Sequence, residues 1–126
     1  MAGSPLLMGV NVVAAVASGA FGAIAIANPS SLVGQPVSSA PATAFYVDMY
    51  GLRSIAIAAG LVTAALSVRR APRAAALCLA GGGLVQVGDV VIAARFGTSG
   101  VVGASLAAAI HVASAALVWS RFRPSC

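Results

Sequence analysis

The chain has 126 residues, of which 60% are hydrophobic and 7% charged, whereas an average soluble domain carries about 25% charged residues. With a mean hydropathy of +1.03, it has too little ionic surface to cover a core in water and too much apolar content to stay unfolded. Those values exclude a soluble globular enzyme and a disordered chain, and they point to an integral membrane protein.

The net charge of +5 comes from seven Arg, no Lys and two Asp. A pI near 10.7 would suggest nucleic acid in a soluble protein. Here the arginines are too scattered to track a phosphate backbone, and most flank apolar runs, so no nucleic-acid partner is expected. Cys78 and Cys126 have no pair or metal spacing and read as free thiols. The last four residues, Arg123-Pro124-Ser125-Cys126, are not a prenylation box, which needs its Cys four from the end.

Four apolar stretches are long enough to cross a bilayer: 6–27, 45–68, 74–94 and 100–120. Twenty-odd residues at 1.5 Å each give roughly 30–36 Å of helix, which matches a hydrocarbon core of about 30 Å. The expected fold class is all-α, an integral membrane four-helix bundle in a single transmembrane domain. Its expected setting is the cell membrane, with the lipid bilayer as solvent.

The first stretch contains Ala15-Val16-Ala17, which resembles a signal cleavage site. No basic residue precedes it and the apolar run continues to Ala27, so a retained span is expected. Asn11, Ser18 and Gly22 share one face of this helix. Asn28-Pro29 ends it, and an uncharged Ser-, Pro- and Ala-rich connection of residues 28–44 follows. That segment suits either a position on the membrane surface or a lid over the bundle.

In the second stretch, Tyr46, Tyr50, Arg53, Gly60, Thr63 and Ser67 form a stripe that is expected to face inward. Arg53 lies roughly 12 Å below the outer end of its helix by rise per residue. Asp48 is shallower and about 140° around the helix from Arg53, which suits the outer mouth or the loop. Arg69-Arg70-Ala71-Pro72-Arg73 separates the second and third stretches.

In the third, Gly82, Gln86, Asp89 and Ala93 share a face, with Asp89 roughly 7 Å below the outer end. Gly97-Thr98-Ser99-Gly100 turns it into the fourth, where Gly103, Ala107, His111 and Ala115 align. Lipid gives helices no hydrophobic reason to associate, so small residues and polar contacts must do so. Thirty alanines and 14 glycines supply the small residues.

An ion at mid-membrane costs on the order of 3 kcal/mol even on the lenient scale, so an Arg53–Asp89 contact between the second and third spans is expected. His111 sits about 16 Å from either face of the membrane by rise per residue. As the lone His it reads as a hydrogen-bonding partner rather than a metal ligand, and neither metal, haem nor any other cofactor is expected. Five arginines (Arg69, Arg70, Arg73, Arg121 and Arg123) fall on the side shared by both termini, against Arg95 alone on the other. Both termini are therefore expected to be cytoplasmic.

The chain resembles small four-span membrane proteins of unknown function near the DoxX-like superfamily. The residues that carry the likeness are Gly51-Leu52-Arg53, where the relatives read Gly-x-Arg-Asp, then Gln86-x-x-Asp89 and His111. Ser54 stands where an Asp is expected. The resemblance implies a four-helix membrane fold and no particular activity.

Three functions follow from these residues. In the first, Arg53, Gln86, Asp48 and Asn11 bind a lipophilic molecule such as a quinone, isoprenoid or lipid, with apolar walls and a few orienting polar groups; an accessory membrane subunit is the related reading. In the second, Asp89, His111 and Tyr50 perform cofactor-independent acid–base chemistry (isomerisation, cyclisation or epoxide opening) on a hydrophobic substrate. In the third, the polar cluster is interhelical glue, and the protein assembles with itself or with a larger partner.

Overall fold

The structure is a computed structural model and describes residues 5–98 and 100–121. Ser99, Arg123 and Cys126 lie outside the described residues. Among the described residues five helices follow one another: α1 (Pro5–Ala27), α2 (Pro29–Val33), α3 (Pro41–Ser67), α4 (Pro72–Arg95) and α5 (Gly100–Arg121). Four of them, all but α2, are long and apolar enough to cross a membrane. No strand occurs among the described residues.

Prolines shift the expected boundaries. Pro41 and Pro72 occupy the first turn of α3 and α4, where a fixed φ favours helix and the missing N–H goes unused. As a result α3 begins four residues before the expected start at 45, and α4 two before 74. Pro29 likewise opens α2, so the first connection contains one short helix rather than being wholly irregular. The α4–α5 turn is made by Gly97, with φ of 65°. A left-handed residue there lets Gly97 N–H reach the Ala94 carbonyl and Thr98 N–H the Ala93 carbonyl, which caps α4.

The four long helices form two close antiparallel pairs, α1 with α3 and α4 with α5, which meet along the thinner α3–α4 and α1–α5 seams. Within the first pair, small residues let the backbones approach. A Cβ placed on Gly22 would lie 2.8 Å from the Gly51 carbonyl oxygen, and one on Gly51 2.6 Å from that of Gly22. In the second pair, a Cβ on Gly83 would lie 2.6 Å from Val112 Cγ2. These contacts come from shape alone, the mechanism left when oil surrounds the protein.

Alanines dominate the buried interior, together with Leu61, Val68, Leu79 and Val118. The large exposed side chains, among them Leu6, Phe21, Leu52, Leu84 and Phe96, are apolar and face outward, as lipid-facing positions should. One core cluster gathers Val68 of the α3–α4 turn, Ala75, Ala76 and Leu79 of α4, and Ala115 and Val118 of α5. The α3–α4 hairpin and the end of α5 therefore converge at one end of the bundle. The α1–α3 connection and the Gly97 turn lie at the other.

The expected inner face of α3 is wrong. Tyr46, Tyr50, Arg53, Gly60 and Thr63 are exposed, and the buried positions are Gly51, Ala58, Leu61, Ala64 and Ala65. The polarity of a hydroxyl did not indicate burial, because Thr63 Oγ1 donates to the Ala59 carbonyl within its own helix. Gly103 of α5 is also exposed, whereas Ala107, His111 and Ala115 are buried as expected. On α1, Asn11 and Gly22 are buried and Ser18 half-buried. On α4, Gly82 and Gln86 are buried, with Asp89 and Ala93 half-buried.

Candidate functional site

Polar side chains join the two helix pairs at three levels. Nearest the Gly97 end, Arg53 Nη2 on α3 donates to Asp89 Oδ1 on α4 at 3.0 Å. The Arg53 side chain is 48% exposed and that of Asp89 16%. The Arg53 Cζ also stands 5.4 Å from the centroid of the Tyr50 ring, one helical turn earlier on α3, within cation–π range. Ser54, one residue on, donates its hydroxyl to the Tyr50 carbonyl.

One turn deeper along α4, Gln86 Nε2 donates to Ser18 Oγ on α1 at 3.2 Å, and Ser18 donates to the Ala14 carbonyl at 3.0 Å. The α4 face that carries Asp89 also carries Gln86, so one helix supplies both levels.

The deepest level is sealed. Asn11 and His111 are 1% and 0% exposed. Asn11 Nδ2 donates to the Leu7 carbonyl at 2.8 Å and to Ser114 Oγ at 2.7 Å, while Asn11 Oδ1 lies 2.9 Å from His111 Nδ1. A backbone carbonyl can only accept, so the contact with Leu7 fixes which end of the Asn11 amide is nitrogen. Oδ1 must then accept from His111, which places the proton on Nδ1. His111 Nε2 is the one fully buried side-chain polar atom without a hydrogen-bond partner among the described residues.

A Cβ built on Gly83 would lie 3.5 Å from His111 Cβ, so these two residues are level. Asp89 is six residues further along α4, or about 9 Å by helical rise. The expected Arg53–Asp89 contact is therefore present. Arg53, Asp89 and Tyr50 form one group, and His111 and Asn11 form a separate one closed by Ser114. Asp48 is exposed, and its side chain makes no hydrogen bond or ion pair among the described residues. Asn11, expected among the binding residues, has all its side-chain polar atoms engaged by protein groups.

Ser114 went unnoticed in the sequence. It lies three residues after His111 and so on the same face of α5, which was the available clue. Among the described residues no group of three or more His, Cys, Asp or Glu side chains is placed to hold a metal ion.

Every side-chain hydrogen bond between long helices among the described residues runs from one pair to the other: Arg53–Asp89, Gln86–Ser18, Asn11–Ser114 and His111–Asn11. Small-residue packing makes the pairs, and polar contacts join them together with apolar packing such as Leu61 of α3 against Gly82 of α4.

Four apolar spans around an internal polar ladder define a small multi-pass helical membrane protein. Its family follows from comparison: residues 13–120 match the model described as "Domain of unknown function (DUF4267)", and the chain belongs to that family. No curated protein and no solved structure matches the chain. That match supports a small four-span membrane protein of unknown function and does not extend to the expected DoxX-like superfamily.

Proposed function

We propose that the protein binds a lipophilic molecule by its polar head at Arg53, Asp89 and Tyr50, where α3 and α4 meet. The observation that carries this reading is the open, single-contact ion pair. One guanidinium nitrogen bonds one carboxylate oxygen, and Arg53 is still 48% exposed. A guanidinium has five N–H donors in a planar fork, so most of them stay available to a carbonyl, hydroxyl or phosphate oxygen. In a bilayer such a partner belongs to a molecule dissolved in the membrane. Tyr50 adds an aromatic surface beside the cation.

The test is extraction and mass spectrometry of small molecules that co-purify with the protein in mild detergent. Wild type is expected to carry a lipophilic species above the detergent background, and Arg53→Gln to lose at least tenfold of it. A wild-type protein as empty as the variant would overturn the reading.

A second reading, that the polar ladder serves assembly alone, is favoured because every side-chain hydrogen bond between long helices among the described residues joins one helix pair to the other. Under it, Arg53→Gln would change stability and leave the co-purifying species unaltered. We further read both termini as cytoplasmic, on the strength of the arginine distribution. An acid–base enzyme would need Asp89 and His111 to act on one substrate across about 9 Å of helical rise, and this reading has the least support.

A further inference from the structure

Among the described residues, the end of the bundle opposite Arg53 and Asp89 carries side-chain charge of one sign. Arg70 and Arg73 flank the α3–α4 hairpin, with Arg69 beside them, and Arg121 closes α5. The core cluster of Val68, Ala75, Ala76 and Val118 shows that these three helix ends converge, so the arginines gather around one patch. Both acids of the chain, Asp48 and Asp89, lie toward the other end. Arg70, Arg73 and Arg121 are all exposed. Beside Arg73, at the start of α4, lies an open depression lined by Ala71, Pro72, Arg73 and Ala74.

We propose that this patch binds the headgroup of an anionic phospholipid of the surrounding leaflet. The arginines sit at the ends of helices long enough to reach the edge of the hydrocarbon, the depth at which lipid phosphates lie. A guanidinium fork matches two phosphate oxygens at once. Clustered basic residues next to a span attract anionic lipid more strongly than isolated ones, and the attraction fades within a Debye length. The lipid's acyl chains would lie against the exposed apolar side chains of α4, such as Leu77. This surface is separate from the Arg53 site, and neither proposal depends on the other.

The test uses purified protein in vesicles of phosphatidylcholine with one fifth phosphatidylglycerol. Spin-labelled versions of each lipid report the fraction immobilised by protein. Wild type is expected to immobilise phosphatidylglycerol several-fold more than phosphatidylcholine, and the preference should weaken at high salt. Arg70→Gln with Arg73→Gln is expected to bring the ratio close to one, while Arg70→Lys with Arg73→Lys keeps most of it and Arg95→Gln, at the other end, keeps all of it. Circular dichroism confirms that each variant is helical, and reconstitution with anionic lipid in both leaflets makes insertion direction irrelevant. Equal immobilisation of the two lipids by wild type would overturn the proposal. So would an undiminished preference in the double Gln variant, or its abolition by millimolar inorganic phosphate at constant ionic strength, which would indicate a site for free anions instead.

Discussion

Arg53 and Asp89 each make the other tolerable inside the membrane. Taking away one partner strands the other in a poorly solvating medium, whereas taking away both removes the problem. Arg53→Ala should therefore lower the detergent unfolding midpoint, and Arg53→Ala with Asp89→Ala should recover part of the loss. The half-exposed guanidinium keeps this coupling modest, about 1 kcal/mol. Additive losses in the double-mutant cycle would contradict it. Asn11 and His111 make a stricter case because neither reaches solvent. Asn11→Leu leaves His111 Nδ1–H and the Ser114 hydroxyl without their shared partner, and is expected to cost about 1–3 kcal/mol. Asn11→Leu with His111→Phe should be less damaging than Asn11→Leu alone, as read from the same unfolding curves. The Arg53–Asp89 contact was legible in the sequence because charge in oil demands a counter-charge and only two acids exist. The Asn11–His111–Ser114 cluster was only half legible, since a serine that bonds across helices looks no different in sequence from one that bonds within its own.

At the scale of the helix, the Gly22–Gly51 crossing sets how closely α1 and α3 approach. Gly51→Ala puts a methyl group against backbone and Ile26, with no flexible neighbour on the Gly22 side to give way. A loss of about 1–3 kcal/mol is expected. Gly60→Ala on the exposed face of the same helix meets nothing within 4 Å and should gain about 0.5–1 kcal/mol from backbone entropy. Opposite signs for these two chemically identical changes, measured as shifts in thermal midpoint, would verify which face of α3 is inside. Sequence reasoning misassigned that face for a physical reason. Tyr46, Tyr50 and Thr63 are polar but amphipathic or internally bonded, so they can face lipid or headgroups. Gly51, Ala58 and Ala65 are inside because they are small. In a bilayer, size predicted burial on α3 better than polarity did. Helix ends were blurred by the prolines, which lie in loop-like composition yet initiate α2, α3 and α4.

Over the whole molecule, the number of spans was readable from composition and length because the bilayer imposes both. The assortment into two pairs was not, since it depends on which glycines meet across helices distant in sequence. Orientation makes a separate expectation. If the arginine imbalance governs insertion, single cysteines at residue 36 in the α1–α3 connection and at residue 71 in the α3–α4 turn should label from opposite sides of intact cells or inverted vesicles. Labelling should come from outside for the first and from the cytoplasm for the second. The reverse pattern would mean that the arginines do not set the direction.

The close pairs are consecutive in the chain: α1 and α3 are complete before α4 is made, and α4 and α5 come last. Each can zip up by shape as it leaves the insertion machinery, and the two then dock through the shared apolar cluster around Val68 and Leu79 and through hydrogen bonds that strengthen in an oily medium. The exposed residues 69–71 of the hairpin are thus expected to act as a tether between the halves, while Val68 beside them stays in the core. Two polypeptides split between Arg70 and Ala71 and expressed together should find one another and co-purify, and weakening Gln86–Ser18 or Asn11–His111 should hinder their reunion more than the folding of either half.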